Sequence, residues 1–214
     1  AAAAGYARGN PLLGMERAEM AALWPDPRGM DVLDLGAGTG YYARWAGERG
    51  ARRAIALDGT PEMLAGGARP AVVADAGRLP FGEGRFDLVV AALLLSFVGD
   101  AGAVLAEAAR VLRPGGWLLV SDLHPVASER GWSRSFEGPR GQRLRIEAPP
   151  PSAAALREGL AAAGLRLDVQ HEPVIDERLR PAFVQAGRRD FEALAGTPLL
   201  LLLRARKGGG SHAG

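Results

Sequence analysis

The sequence contains no cysteine, and this absence excludes disulfides, thiolate nucleophiles and cysteine-based metal sites. We expect no bound metal. Lysine is almost absent too, because Lys207 is the only lysine among 26 basic residues. We interpret the excess of arginine as the codon bias of a GC-rich genome. The formal net charge is only +2, and nucleic-acid binding would need basic residues clustered on one face, so we expect no nucleic acid as a partner.

Long hydrophobic runs are also lacking. The longest, Val89–Val98 and Pro198–Leu203, fall short of the roughly 20 residues that a membrane span needs, and we interpret both as buried strands. Residues Ala1–Gly5 lack the basic head and apolar stretch of a secretory signal. The sequence therefore predicts a cytoplasmic protein with no membrane partner. For its oligomeric state we expect a monomer or a homodimer.

The size and composition of the chain, 214 residues with 48% hydrophobic and 23% charged residues, are those of one globular domain. From Asp31 onward, short apolar runs alternate with segments of helical periodicity. This alternation is typical of βαβ units whose parallel sheet is buried on both faces, and it predicts an α/β fold. The predicted strands are Asp31–Leu35, Arg53–Asp58, Ala71–Ala74, Phe86–Ala92, Trp117–Asp122, Leu165–Val169 and Pro198–Arg206.

Between these strands the sequence predicts helices over Gly38–Gly50 and Pro61–Ala65, one that ends before Arg113–Gly116, one capped by Ser152, and one that begins near Pro181. We treat residues 1–206 as a single domain and residues 207–214 as a flexible tail. Two segments stand outside the alternation. They are residues 1–27 and residues 126–151, the second of which is rich in Arg, Gly and Pro.

The strongest local signal is a glycine-rich turn after the first predicted strand. The run Val32-Leu33-Asp34-Leu35-Gly36-Ala37-Gly38-Thr39-Gly40 leads from an apolar strand into three glycines with one residue between each pair. Without side chains at these positions, backbone amides can approach a ligand closely and positive φ angles cost little. Proteins that bind NAD have glycines at the first, third and sixth places of such a turn, whereas the sixth place here is Tyr41.

Two further aspartates follow the next two predicted strands. Asp58 ends the second strand, where a carboxylate can accept hydrogen bonds from both hydroxyls of a ribose. Asp75 follows the third strand and opens the block Asp75–Phe81. Because the carboxyl ends of parallel strands form one edge of the sheet, the glycines and both aspartates can meet there.

Together these blocks, with Phe86–Val90 and Val111–Gly116, resemble the class I S-adenosylmethionine-dependent methyltransferases, in the small-molecule group that includes the ubiquinone and menaquinone enzymes. The resemblance covers residues 31–122. It implies a Rossmann-like three-layer sandwich with a mostly parallel sheet of about seven strands, the last one antiparallel. It also implies S-adenosylmethionine as cofactor, S-adenosylhomocysteine as product and a small molecule as methyl acceptor.

The resemblance also implies roles for individual residues. Gly36, Gly38 and Gly40, with Ala37 between them, would cradle the methionine part, and Asp34 would help to hold its amino group. Asp58, with Gly59 beside it, would bind the ribose. The remaining implied contacts are Asp75 and the Ala76 amide with the adenine, Met63 stacked on that ring, and a backbone carbonyl of Ala91 or Ala92 for the methionine amine.

Each of these residues also has a purely structural interpretation. The glycines can form a turn, the aspartates can cap strand ends, and Met63 can belong to the core. Asp87 is better explained as a structural anchor than as a ligand. Ser96 stands where the family often carries a histidine, so its role as an acceptor contact stays open.

The acceptor side offers one candidate general base, His124, which follows the fifth predicted strand. An imidazole side chain can take up or release a proton near neutral pH. His124 can equally be a hydrogen-bonded loop residue. The resemblance also implies an N-terminal cap over residues 1–27 and a substrate lid over residues 126–151, because family members have segments at these places that close over the cofactor or the acceptor. Tyr6 of the cap, and Trp132 and Arg134 of the lid, would then contact the acceptor, and an anionic acceptor would suit the arginines. The alternative is that the arginine-rich segment forms a solvated hairpin and no lid.

The function predicted first is methyl transfer from S-adenosylmethionine to a small molecule. A nucleic-acid or protein methyltransferase and a non-catalytic cofactor-binding regulatory subunit are the alternatives, because a fold does not by itself determine function. An NAD-dependent oxidoreductase is disfavoured by Tyr41 and by the Asp75 block.

Overall fold

The computed structural model describes residues 11–68, 70–132, 134–137, 143–146 and 149–209, and for residues 134–137 and 143–146 it describes the backbone. The strands are β1 Asp31–Leu35, β2 Arg53–Asp58, β3 Ala71–Val73, β4 Phe86–Ala92, β5 Leu112–Leu123, β6 Arg134–Glu137, β7 Arg143–Ile146, β8 Leu165–His171 and β9 Leu200–Lys207. The α-helices are α1 Pro11–Leu23, α2 Tyr41–Glu48, α3 Pro61–Leu64, α4 Ala101–Val111, α5 Pro125–Glu129, α6 Ala153–Ala162, α7 Arg180–Gln185 and α8 Phe191–Leu194. Two 3₁₀ turns cover Leu95–Phe97 and Glu177–Leu179.

Seven strands form one sheet in the order β3-β2-β1-β4-β5-β9-β8. Strands β1 to β5 pair in parallel, while β9 runs antiparallel to both of its neighbours, β5 and β8. The predicted fold is therefore confirmed, including the direction of the last strand. Because β1 and β4 are central neighbours, their carboxyl ends and that of β2 lie side by side at one edge.

Helices cover both faces of this sheet and complete the three layers. On one face Val32 and Leu119 pack with Leu12 and Met20 of α1. On the other face the core includes Leu105 of α4 together with two leucines of α6. Ser152 caps α6 as predicted, since its hydroxyl accepts a hydrogen bond from the Ala155 amide at 3.1 Å.

Several predicted boundaries are wrong. The helix predicted from Gly38 begins at Tyr41, and the long apolar run to Val98 leaves the sheet at Ala92 and continues into the Leu95–Phe97 turn. Strand β5 starts at Leu112, because Phe86 and Leu112 already pair before a register shift. Lys207 lies in β9 rather than in the predicted tail.

The segment predicted as an N-terminal cap contains a core helix. In α1, Leu12 and Met20 are almost fully buried. Within residues 126–151, α5 precedes the strands β6 and β7, which pair antiparallel in a sheet of their own. Residues 1–10 and 210–214 lie outside the described residues, so the predictions for Tyr6 and for most of the tail stay predictions.

At the amino ends of the strands, Asp31 is held by three arginines. Its side chain is 1% exposed and accepts hydrogen bonds from Arg52 Nε at 3.0 Å and from Arg113 at 2.8 Å, with Arg53 at 3.3 Å. The hydrogen bond from Arg52 is the main cause that lowers the pKa of Asp31 well below its usual range. Asp87, the predicted anchor, accepts the Asp31 amide at 2.8 Å and pairs with Arg113.

We expect Asp31→Asn to lower the free energy of unfolding by about 1–2 kcal/mol at pH 7, after allowance for the partly exposed arginines. A lowered carboxyl pKa adds stability above the pKa of the unfolded chain, near 3.8, and this stability is lost as the pH falls through the folded value. The difference between the two proteins should therefore shrink below about pH 4. Urea titrations at pH 3, 4 and 7 measure it, and a difference that stays constant with pH would contradict this account.

Candidate cofactor site

The predicted glycine turn lies between β1 and α2 with a left-handed backbone at all three glycines. The φ angles of Gly36, Gly38 and Gly40 are 67°, 53° and 74°. The Ala37 amide donates to the carbonyl of Leu57 at 2.8 Å, which fixes the turn against the end of β2. Only glycine adopts these angles without strain, so the sequence signal corresponds to a real backbone requirement.

Asp58 joins this turn to the end of β2. Its Oδ2 accepts the Gly38 amide at 2.8 Å and its Oδ1 accepts the Thr60 amide at 2.8 Å. The side chain is half-buried at the sheet edge. A carboxylate oxygen has two lone pairs, so both oxygens keep the capacity to accept a hydroxyl. The structure thus brings Asp58 to the glycine turn, as the prediction requires.

Packing within the protein requires a glycine at one of the three positions, Gly40. A Cβ at Gly40 would lie 2.5 Å from the Cβ of Ala68, and one at Gly36 would lie 2.5 Å from the Cδ1 of Leu94. At Gly38 the nearest atom is the terminal methyl of Met63, at 3.3 Å. The space beside Gly36 and Gly38 is therefore bordered by the flexible ends of Leu94 and Met63, which a ligand can displace.

Asp75 lies at the same edge as Asp58. The Ala74 amide donates to the Asp58 carbonyl at 3.2 Å, so the ends of β2 and β3 are adjacent. Asp75 is exposed, and its Oδ1 accepts the amide of Gly77 at 2.7 Å in a tight turn around Ala76. Gly59, also exposed, lies next to this turn, since a Cβ added to it would lie 3.7 Å from the Ala74 carbonyl oxygen. These positions are compatible with the implied adenosine contacts, which stay predictions.

Asp34 is buried, with 2% exposure, and its carboxylate accepts the Ala43 amide at 2.9 Å and also the Tyr42 amide. It thus holds the first turn of α2. Burial is the main cause that raises the pKa of Asp34 to about 7, with a smaller contribution from the nearby carboxylates. Its implied contact with the methionine amino group stays a prediction.

After β4 the chain turns sharply at Leu93, the non-glycine residue with a positive φ, 53°, among the described residues. Ala91 is buried and Ala92 half-buried just before it. Leucine is disfavoured in this conformation, and such strain concentrates at binding sites. The Leu93 amide is held by the Ser121 carbonyl at 2.8 Å, and the turn directs the following residue, Leu94, towards Gly36.

Two of the predicted acceptor residues have structural partners instead. The Ser96 hydroxyl donates to Asp122, and the Ser96 amide donates to the same carboxylate at 2.8 Å. Trp132 is 3% exposed and packs its ring against Phe183 at 5.5 Å between centroids. The ring is thus held among the protein's own aromatic side chains, and its implied contact with the acceptor stays a prediction. The Arg134 side chain lies outside the described residues.

His124 caps α5. Its Nδ1 accepts the Val126 amide at 3.2 Å, and its Nε2 lies 3.3 Å from a carboxylate oxygen of Glu172. The ring is 9% exposed. Because the amide occupies the free lone pair and Glu172 faces the other nitrogen, this arrangement offers no nitrogen to an acceptor. The structure gives His124 a capping role, and its role as a base stays a prediction.

Sequence reasoning missed two residues at this site, Leu94 and Glu16. Glu16 lies on the buried face of α1, four residues after Leu12 and four before Met20, and it is 2% exposed. Its carboxylate accepts hydrogen bonds from Tyr42 and Ser121, each at 2.7 Å. The sequence places Glu16 at helical spacing between apolar residues that face the core. This spacing could have indicated a buried carboxylate with hydrogen-bond partners, because charged residues are almost never fully buried unless they are paired.

Other features of the described chain bear on the type of site. In the part of the chain that the structure describes, no group of three or more His, Asp or Glu residues could hold a metal ion. Nor is any helix in those ranges long and apolar enough to cross a membrane.

Comparison with solved structures identifies the fold. The chain is similar in structure to an S-adenosylmethionine-dependent methyltransferase from Mesorhizobium loti, with a TM-score of 0.71 and 23% identity over 92% of this chain and all of that one. It is also similar to 1,6-didemethyltoxoflavin-N1-methyltransferase from Burkholderia thailandensis, crystallised with 1,6-didemethyltoxoflavin and S-adenosylhomocysteine, with a TM-score of 0.54 and 25% identity over 95% of this chain and 79% of that one. The fold is therefore that of the class I S-adenosylmethionine-dependent methyltransferases.

Sequence comparison covers the part of the chain around the glycine turn. Residues 33–120 match the family described as "Methyltransferase domain". Demethylmenaquinone methyltransferase from Mycobacterium tuberculosis is 45% identical over 109 residues, which cover 50% of this chain and 46% of that protein. The chain thus spans about half the length of the curated relatives that it matches.

Proposed function

We propose that this protein transfers a methyl group from S-adenosylmethionine to a small-molecule acceptor. The observation that carries the proposal is the Asp58 carboxylate, which lies against the Gly38 amide of the glycine turn and keeps lone pairs for two hydroxyls. A nucleoside ligand presents such a hydroxyl pair on its ribose. NAD also does, but Tyr41 stands where its glycine fingerprint would require a third glycine.

The residues of the site fit this cofactor. Asp58 would hold the ribose, Asp75 the adenine amino group and the turn Gly36–Gly40 the methionine part. Met63, whose methyl already lies 3.3 Å from a Cβ position on Gly38, would pack on the adenine. When bound, S-adenosylmethionine supplies a methyl carbon activated by a positively charged sulfur.

Catalysis would then depend on alignment and on exclusion of water. In-line methyl transfer needs the acceptor atom close to the methyl carbon in a dry pocket, and both effects can lower the barrier without a general base. Leu94, which follows β4, provides an apolar border next to Gly36. With both nitrogens of His124 engaged, an acceptor that is already nucleophilic suits the site better than one that must lose a proton there.

The relatives support a small acceptor. Two of them are named for small molecules, demethylmenaquinone and 1,6-didemethyltoxoflavin. We propose the same class of acceptor for this chain, with no nucleic acid and no bound metal as part of the reaction. An anionic acceptor would suit the arginines of residues 126–151.

Isothermal titration calorimetry tests the cofactor part of the proposal. We expect S-adenosylmethionine and S-adenosylhomocysteine to bind with dissociation constants in the micromolar range, and NADH to give no heat. Absence of binding by both adenosyl compounds would overturn the proposal. Binding without turnover on a panel of quinol, carboxylate and heteroaromatic acceptors would favour the non-catalytic regulatory subunit instead.

A further inference from the structure

A buried carboxylate on α1 links α2 to β5 and, through β5, to the turn that follows β4. Glu16 Oε2 accepts from the Tyr42 hydroxyl of α2, and Oε1 accepts from the Ser121 hydroxyl of β5, each at 2.7 Å. Ser121 in turn accepts the Leu93 amide, with its carbonyl at 2.8 Å and its hydroxyl at 3.3 Å. Ser121 also pairs in register with Ala92 of β4. Glu16 is therefore one side chain away from the strained turn that faces the glycines.

A second buried carboxylate lies on the other side of Tyr42. Asp34 accepts the backbone amides of Tyr42 and Ala43, while Glu16 accepts the hydroxyl of the same tyrosine. Both side chains are 2% exposed. Burial is the main cause of the raised pKa of Asp34, and the charge of Glu16 raises it further. The main cause of the raised pKa of Glu16 is its own burial.

Neither carboxylate has a cation in contact with it among the described residues. The guanidinium of Arg17, on the same helix as Glu16, stacks over Tyr41 at 3.8 Å and acts on Glu16 only through its field. The other groups that face the pair are the Tyr42 phenol of α2 and the Asp58 carboxylate of β2. From β9, Arg204 reaches α1 only at the Leu23 carbonyl.

Two buried carboxylates of like charge are unfavourable without a cation, because no attraction offsets the free-energy cost of removing each charge from water. A ligand that brings a cation to this edge removes that penalty. We propose that Glu16 is a positioning residue of the cofactor site, whose charge, together with that of Asp34, is neutralised by the ammonium group of the bound adenosyl amino acid. This inference rests on the proposed function and adds to it a residue and a pH dependence.

The sign of the pH dependence follows from linkage. Without ligand, burial raises the pKa of Asp34 to about 7, so this carboxyl is partly protonated near neutral pH, and burial raises the pKa of Glu16 as well. A bound ammonium group favours the ionised carboxylates, so binding releases protons and tightens as the pH rises. For one carboxyl with a pKa of about 7 that is fully ionised in the complex, we expect affinity for S-adenosylhomocysteine to increase about ten-fold from pH 6 to pH 8.

Glu16→Gln tests the charge with little change of shape. Its amide oxygen can still accept from Tyr42, and its amide nitrogen can donate to Ser121. We expect about ten-fold weaker binding of S-adenosylhomocysteine at pH 8, a flatter pH dependence, and a melting temperature equal to or above that of the parent. The control is Glu19→Gln on the same helix, whose carboxylate pairs with His171 and Arg178 away from the site and which should bind as the parent does.

Calorimetry of S-adenosylhomocysteine binding at pH 6, 7 and 8, in phosphate and in Tris, gives both affinity and proton release. Unchanged affinity and proton release in Glu16→Gln would overturn the inference while leaving the proposed function intact. A variant that loses affinity and melting temperature together, with the pH dependence of the parent, would overturn it in favour of a purely structural role. Absence of binding by the parent at every pH would overturn the proposed function and the inference with it.

Discussion

Asp58→Ala should weaken the binding of S-adenosylhomocysteine by about 100-fold, which corresponds to about 2.7 kcal/mol. The carboxylate accepts one backbone amide on each oxygen and would accept a ribose hydroxyl on each as well. Hydrogen bonds to a charged group contribute about 1.5–3 kcal/mol each, so the loss of two accounts for the expected effect. Calorimetry at pH 8 measures it.

The same substitution also removes a local turn contact, and Asp26→Ala controls for that loss. Asp26 accepts the amide two residues later, at 3.1 Å, in an exposed turn, as Asp58 does with Thr60. Asp26→Ala should bind as the parent does. A second variant, Asp58→Asn, keeps one oxygen for the Gly38 amide and should show intermediate affinity with a nearly parental melting temperature. Parental affinity in Asp58→Ala would remove this residue from the ligand site.

Gly40→Ala should lower the free energy of unfolding by about 3 kcal/mol or more, because two costs add. The φ angle of 74° disfavours any side chain, and the new Cβ would lie 2.5 Å from the Cβ of Ala68 and 3.3 Å from its Cα. The backbone of Ala68 cannot move away easily, since its amide donates to the Thr39 carbonyl at 3.3 Å. Urea denaturation measures the effect.

Gly66→Ala separates the two costs. Its φ angle, 77°, is nearly the same, but no atom lies within 4 Å of the added Cβ. We expect a loss of about 1 kcal/mol for the backbone conformation alone. Equal losses in the two variants would show that the contact with Ala68 relaxes freely and that the glycine at position 40 serves only the backbone.

Strand positions could be predicted from the sequence where a buried strand leaves a continuous apolar run. Strands β1, β2 and β4 have the predicted bounds, and Asp58 and Asp75 lie at one edge because parallel topology requires it. The glycine turn could also be predicted, because its backbone angles require glycine.

What the sequence could not predict depends on packing between distant segments. Trp132 stands in an arginine-rich segment that suggested a solvent-facing lid, yet its ring is buried against Phe183, about fifty residues later. Side-chain contacts at such separation leave no local periodicity. The contact between His124 and Glu172 could not be predicted either, because Glu172 follows a different strand, β8. The contact between Leu94 and Gly36 likewise needs the positive φ angle of Leu93, which residue type does not indicate.

The strand order has a consequence for how the domain is assembled. Strand β9, the last in the sequence of the large sheet, lies inside it, between β5 and β8. A growing chain therefore cannot complete this sheet until residues 200–207 are present. Until then the facing edges of β5 and β8 expose unpaired backbone groups, which are sites of aggregation. A fragment that ends before Leu200 should keep these edges exposed, although it contains all of the residues that we propose to bind the cofactor.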